Sequence, residues 1–164
     1  MSETTREGGC TCGHVRYRLA GGPIMVHNCH CRLCQQQTGS TSVLNAFIET
    51  DRIELLAGDL ADNVVVGGSG NAHTIRRCAR CGTAIWSHYA RLGTLGAGVR
   101  VGTLDDPASV TPDVVIFIES KLPWVPLPEG IPAFQQYYDF AEVLSEASNA
   151  RLSALVKRRK AGEG

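Results

Sequence analysis

Seven cysteines constrain this chain of 164 residues more than any other feature, because all of them lie at short spacings. Two pairs follow the patterns C-x-C and C-x-x-C, and a run of C-x-C-x-x-C lies between them. Such spacings are typical of thiolates that share a metal ion. The pairs are Cys10 with Cys12 and Cys78 with Cys81, and the run holds Cys29, Cys31 and Cys34. The thiols therefore divide into a set of four and a set of three.

The two sets predict two different zinc sites. A zinc ion with four thiolate ligands is structural, whereas three protein ligands leave one coordination position open for chemistry. We predict two zinc ions per chain, one structural and one catalytic. The structural ion is assigned to Cys10, Cys12, Cys78 and Cys81, and the catalytic ion to Cys29, Cys31 and Cys34. The alternative for the four thiols, unrelated burial as small apolar side chains, fits their clustering poorly.

The fourth ligand of the three-cysteine set stays open at this point. His27 lies two residues before Cys29, so on an extended chain it shares that face and is an alternative ligand. His30 should point away from the face, and otherwise water or substrate takes the position. A redox dithiol of Cys31 and Cys34 is another alternative. A helix N-terminus and an adjacent βαβ pattern would support it, and neither is evident in the sequence.

Composition and charge narrow the function classes. The chain has 16 basic and 16 acidic residues, so its balanced charge provides no attraction to nucleic acid or an anionic membrane. Residues 1–9 are polar, and the strongly apolar run at 114–118 is far too short to span a membrane. We expect a cytoplasmic protein with reduced thiols, which also suits an odd number of cysteines.

Short apolar segments between glycines and prolines predict a mainly β chain. Strands are expected over residues 15–19, 24–27, 41–49, 53–56, 63–66, 72–77, 83–88, 97–104 and 114–119. The glycine-rich segment 67–71 predicts a hairpin turn, and the polar segment 35–40 predicts a loop. We expect residues 1–8 to form a flexible tail and residues 9–138 to form one zinc domain.

One helix is predicted, and it begins at Asp139. Asp139 is followed three residues later by Glu142, as at a capping-box start, and four basic residues near 157–160 suit a helix C-terminus. Residues 139–164 are therefore expected to form a C-terminal helix and tail. If the chain forms a homodimer, the exposed side of this helix is the predicted contact.

Several motifs together resemble the glutathione-dependent formaldehyde-activating family. They occur in that family's order across residues 9–134: G-C-T-C-G, C-H-C-R-L-C followed by T-G-S, C-A-R-C-G-T, G-T-L-D-D-P and K-L-P-W. The resemblance implies a β-tent fold, in which zinc-ribbon-like hairpins lie between small antiparallel sheets. It also implies the same division of the seven cysteines into a structural and a catalytic zinc site. The implied activity is formation of S-(hydroxymethyl)glutathione from glutathione and formaldehyde, a carbon–sulfur lyase reaction run in reverse.

The resemblance suggests roles for residues near the motifs. His27 or His30 is a candidate proton shuttle, and either is equally a residue that supports the metal ligands. Arg32, Arg77 and Arg100 are candidates for the glutathione carboxylates, with solvated surface charge as the alternative.

Trp124 is expected to pack in the core. Two rival functions remain, namely an enzyme acting on another small thiol or aldehyde adduct, and a non-catalytic interaction module with His27 on the second zinc.

Overall fold

In the computed structural model of this chain, residues 4–67 and 70–164 are described. Within them the chain forms ten strands and three α-helices. The strands are β1 (Thr5–Gly9), β2 (Arg16–Ala20), β3 (Met25–Cys29), β4 (Val43–Glu49), β5 (Ile53–Ala57), β6 (Leu60–Val66), β7 (Ala72–Cys78), β8 (Ala84–Tyr89), β9 (Gly96–Arg100) and β10 (Val114–Ile116). The helices are α1 (Arg32–Thr38), α2 (Phe140–Val143) and α3 (Glu146–Lys160). The expectation of a mainly β fold with a C-terminal helix is confirmed.

Two sheets make up the fold. The smaller sheet has three antiparallel strands in the order β1-β2-β5. The larger has seven strands in the order β10-β3-β4-β9-β8-β7-β6. All of its pairs are antiparallel except β10 with β3, which run parallel. In the described part of the chain, no helix is long and apolar enough to cross a membrane.

The seven-stranded sheet has two different faces. One face packs against the small sheet and buries aliphatic and aromatic side chains, with Tyr17 and Trp86 meeting edge to face. The residues on the other face can be identified from the strand register, because directly paired residues point to the same side of a sheet. Cys29 pairs with Val43, and Asn45 pairs with Arg100, so these four side chains share the second face. The three-cysteine set and the C-terminal helices lie on this side.

The C-terminal segment forms two helices, where the sequence predicted one. Asp139 caps α2 through its side chain, which accepts from the Ala141 amide. Leu144 is extended, and Ser145 then begins α3 as a second N-cap. At the break, Asn149 donates to the backbone carbonyls of Phe140, the first residue of α2, and of Leu144, which follows its last residue. The one-helix prediction was therefore wrong in its continuity and right in its start.

Several boundaries also differ from the predictions. Residues 5–8, which were assigned to a flexible tail, belong to Thr5–Gly9, and this strand pairs with β2 along its full length. Residues 1–3 of the expected tail lie outside the described residues. The predicted hairpin turn joins β6 to β7, although Gly68 and Ser69 themselves lie outside the described residues. The expected strand 97–104 ends at Arg100, where the chain turns into a 3₁₀ helix.

Three further predictions were wrong. Residues 35–40 were expected to form a loop, but most of them belong to α1, which ends at Gly39 in the left-handed conformation with φ of 63°. The expected strand 114–119 stops at Ile116, because Phe117 has a positive φ of 58°. Trp124 was expected in the core and is 72% exposed.

Candidate metal centres

The four-cysteine set comes together where the two sheets meet. Cys10 and Cys12 follow β1 of the small sheet, while Cys78 and Cys81 lie at the β7–β8 turn of the large one. All four sulfur atoms lie within 4.8 Å of one another. The Cys10–Cys12 and Cys12–Cys78 sulfur distances are 3.5 and 3.9 Å. A tetrahedral zinc–thiolate site has sulfur atoms about 3.8 Å apart, so the donor set fits zinc.

Backbone amides around these sulfurs favour thiolates. The Val15 amide donates to the Cys10 sulfur over 3.2 Å, and the Cys81 amide lies 3.5 Å from the Cys78 sulfur. Gly82 allows this turn, since its φ is +76°. Hydrogen bonds from Thr83 lower the pKa of Cys81 to about 5. Because the four thiols join both sheets and complete a tetrahedron, they suit a structural ion.

The three-cysteine set is built from one strand end and one helix start. Cys29 ends β3, Cys31 is the N-cap of α1, and Cys34 lies in its first turn. The three sulfur atoms lie within 4.8 Å of one another. The Cys34 amide donates to the Cys31 sulfur over 3.4 Å. Cys29 and Cys34 are buried and Cys31 is partly exposed, so solvent reaches the set on the Cys31 side.

The electrostatics of this set favour negative charge on one sulfur. Hydrogen bonds from Cys29 and then Cys34 lower the pKa of Cys31 far below its usual range. The hydrogen bonds that Cys29 makes with Cys31 and Cys34 raise the pKa of Cys29. Three converging thiols that already favour a thiolate are a soft donor set, which fits zinc with one position left for another ligand.

Neither neighbouring histidine joins the three sulfurs in the part of the chain that the structure describes. His27 is buried, and its Nε2 lies 2.7 Å from the Tyr138 hydroxyl. Burial lowers the pKa of His27 to about 4, so the ring is uncharged at neutral pH. His30 is also buried, and burial lowers its pKa. The sequence expectation that His30 points away agrees with this arrangement, while His27 has a hydroxyl partner of its own.

Of the two features that would support a redox dithiol of Cys31 and Cys34, the structure has the helix N-terminus and lacks the βαβ unit. Cys31 does lie at a helix N-terminus, which the sequence did not reveal. However, α1 connects β3 to β4, and these strands are antiparallel neighbours, so there is no βαβ unit here. The third thiol, Cys29, also lies within the same cluster. A trio of sulfurs favours a metal centre over a two-thiol redox couple.

Beside the three sulfurs, the sheet presents an arginine and several aromatic rings. Arg100 is buried, and its guanidinium donates to Asn45 Oδ1 and, over 2.9 Å, to Ser87 Oγ. The Tyr89 ring stacks on His73 with centroids 4.8 Å apart. No spacing in the sequence singled out Asn45, Ser87 or Tyr89, because only the strand register brings them together.

The other two arginines predicted to bind substrate have partners. Arg32 is exposed and donates to Gln35 Oε1 over 2.5 Å. Arg77 donates to the Gly82 carbonyl over 3.1 Å and to Gln37 Oε1. Both lie near α1, and both partners are neutral.

Comparison with known proteins agrees with the cysteine pattern. The family model described as glutathione-dependent formaldehyde-activating enzyme matches residues 5–120. Among solved structures, a Rhodobacter sphaeroides protein is 22% identical, with a TM-score of 0.45 and coverage of 65% of this chain and 91% of that chain. No curated protein matches the chain.

Proposed function

The chain belongs to the glutathione-dependent formaldehyde-activating family, and on this premise we propose that it joins glutathione to formaldehyde. The proposed product is S-(hydroxymethyl)glutathione, and the enzyme is formally a carbon–sulfur lyase acting in reverse. The observation that carries the proposal is the incomplete donor set, namely three converging thiols with one partly exposed. The proposal includes two zinc ions, one held by Cys10, Cys12, Cys78 and Cys81 and the other by Cys29, Cys31 and Cys34.

Zinc bound by three thiolates would accept a small thiol as a fourth ligand and hold it as the thiolate at neutral pH. In the net reaction a bond would form between the glutathione sulfur and the formaldehyde carbon, the carbonyl π bond would break, and the oxygen would take a proton. The proton that the thiol loses on binding balances the one that the oxygen gains. In the reverse direction the same bond breaks and the aldehyde leaves.

The chain's own residues shape this reaction space. Cys29 and Cys34 pack against Val43, Val114 and Ile116, so water is excluded from the inner side of the set. Substrate would approach on the partly exposed side of Cys31. His27 is uncharged and hydrogen-bonded to Tyr138, so it is better suited to hold the Tyr138 ring in place than to donate a proton.

Replacing Cys31 by serine tests the proposal. We expect Cys31→Ser to lose one zinc ion per chain and to lower adduct formation at least about a thousandfold, because the nucleophile is then neither held nor deprotonated. Cys12→Ser is the matched variant at the other set. It should lose the other zinc ion and thermal stability. Turnover that stays at the wild-type level after Cys31→Ser has lost its zinc would refute the proposal.

A second candidate is an enzyme acting on a different small thiol. The observation that favours it is that Arg32 and Arg77 already donate to Gln35 and Gln37, so no described contact reserves either guanidinium for the glutathione carboxylates. A panel of thiols separates the two candidates. Under the first, glutathione turns over with a higher kcat/KM than cysteine or 2-mercaptoethanol. Under the second, another thiol exceeds it.

A further inference from the structure

Arg100 is a buried cation that has no carboxylate partner in the part of the chain that the structure describes. Its exposed fraction is 6%, and it lies in the middle of the seven-stranded sheet. Its guanidinium donates to the neutral side chains of Asn45 and Ser87, and its Nε has no hydrogen-bond partner among the described residues. Across residues 4–67 and 70–164, none of the ion pairs includes Arg100.

Such a residue is costly to keep unless something balances its charge. Removing a guanidinium from water carries a penalty of several kcal/mol, and only a nearby anion repays it. A guanidinium also has five N–H donors, of which Asn45 and Ser87 accept one each. The neighbouring Tyr89 hydroxyl is neutral as well, since burial raises its pKa. The side chains that accept hydrogen bonds from Arg100 are therefore neutral, and any balancing negative charge has to come from elsewhere on this face of the sheet.

The register places Arg100 beside the three-cysteine set. Arg100 pairs with Asn45 on β4, and two residues earlier on that strand Val43 pairs with Cys29. Paired residues and residues two apart on a strand share one face, so Arg100 and Cys29 are on the same side of the sheet. The electrostatics agree with this placement, because the charge of Arg100 acts to lower the pKa of Cys34.

The net charge of the metal centre indicates what the Arg100 guanidinium could do. A divalent ion with three thiolate ligands has a net charge of about −1, and a fourth thiolate makes it about −2. Two negative charges in a largely buried place are unfavourable unless a cation lies nearby. With Arg100 included, the centre is close to neutral before a thiol binds and close to −1 afterwards.

We propose that Arg100 is the counter-charge that lets the three-cysteine centre accept a thiolate, an anion, in preference to a neutral fourth ligand. This inference rests on the proposed function and adds a specificity-determining residue to it. Arg100 here acts on the sulfur end of any small thiol. That differs from the sequence expectation of contact with glutathione carboxylates, and its burial fits the sulfur end better. The thiol loses its proton to solvent as it binds.

The test balances the positive charge of Arg100 with a carboxylate while keeping the shape of the site. In Asn45→Asp, an isosteric carboxylate replaces the amide that already accepts from Arg100, so the guanidinium gains a partner of its own. The protein is loaded with cobalt(II), and its visible absorption is titrated with 2-mercaptoethanol and, separately, with imidazole as a neutral ligand. We expect the variant to bind 2-mercaptoethanol roughly tenfold or more weakly, and imidazole with unchanged affinity. Arg100→Gln should behave in the same way, and Arg100→Lys should retain most of the thiol affinity.

Each outcome decides something different. If Asn45→Asp binds the thiol as tightly as wild type, or weakens both ligands equally, the counter-charge role is overturned. A purely structural role predicts that the new ion pair stabilises the fold and leaves both affinities unchanged. If wild-type protein shows no thiol-dependent spectrum, the proposed function fails. The inference is then decided by chelator competition, where Asn45→Asp should bind metal at the three-cysteine set at least severalfold more weakly, and equal affinity would overturn it.

Discussion

Replacing Leu155 by alanine tests whether helix α3 is an integral part of the domain. Leu155 is 2% exposed and packs in a cluster with Ile24, Met25, Phe47 and Leu92. Leucine-to-alanine changes at such sites cost about 2–5 kcal/mol, because apolar contact is lost and a cavity remains. Met25 can move into part of that space, so we expect about 3 kcal/mol. For a chain of this size that corresponds to a fall in Tm of roughly 6–12 °C.

The assay is thermal and urea unfolding followed by circular dichroism, with the zinc content measured before each run. Leu55→Ala is the matched control, because Leu55 is 44% exposed on β5 and should change stability by less than about 0.5 kcal/mol. If Leu155→Ala unfolds within 1–2 °C of wild type, α3 does not pack on the sheet as described. If instead the helical signal melts separately, before the rest, the helix is attached but not cooperative with the sheets.

Two more predictions concern the same face of the molecule. Glu49 is 12% exposed at its side chain and pairs with Arg151 of α3 over 2.5 Å. Burial would raise the pKa of Glu49, but the hydrogen bonds from Arg151, a backbone hydrogen bond and the charges of Arg151 and Arg52 together hold the pKa below its usual 4.5. Glu49→Gln should therefore lower the free energy of unfolding by about 1–2 kcal/mol at pH 7. This difference from wild type should disappear as the pH falls below 4.5, because Glu49 is then protonated. A difference that does not depend on pH would contradict the ion pair. Gly98→Ala would place a Cβ 3.1 Å from Tyr89 Cε2 and should cost about 1–3 kcal/mol, whereas Gly102→Ala, with open space around it, should be neutral in the same urea titration.

The cysteine sets could be predicted from the sequence because metal-ligand spacing is local. Cys10 and Cys12 lie in the turn that follows β1, where the Gly13 amide donates to the Cys10 carbonyl, and a C-x-x-C turn followed by Gly82 brings two more sulfurs together. Each cysteine pair can therefore be recognised as a pair of metal ligands from a few consecutive residues. The two pairs join across the fold only because β1 and β7 lie in different sheets that meet there, and that meeting was inferred from the count of seven thiols.

The helix α1 was missed for an identifiable reason. Its N-cap is Cys31, which occupies the position usually taken by a serine or aspartate, and its stop signal is Gly39. Three glutamines in a row show no apolar stripe, so the pattern was typical of a loop. Gly39 was the usable signal, since a glycine after a short polar segment is typical of a helix C-terminus.

The sequence analysis named Arg100 as a substrate candidate, but its position on the same face as the three-cysteine set could not be predicted from local patterns. Arg100 is 66 residues away from Cys34 along the chain, and only the β3-β4-β9 order brings the two side chains to one face. Phe117 is similar, because its left-handed backbone is one that its residue type rarely adopts and that the sequence does not announce. Such features depend on strand order, which local patterns do not encode.

The most direct test of the two-centre account is X-ray absorption at the zinc edge, with and without glutathione. The four-cysteine and three-cysteine sets together predict about 3.5 sulfur ligands per zinc in the free protein, rising to about 4 when a thiol occupies the open position. The metal content should be two zinc ions per chain in both samples. A sulfur count that glutathione does not change, or a single zinc ion per chain, would contradict the account.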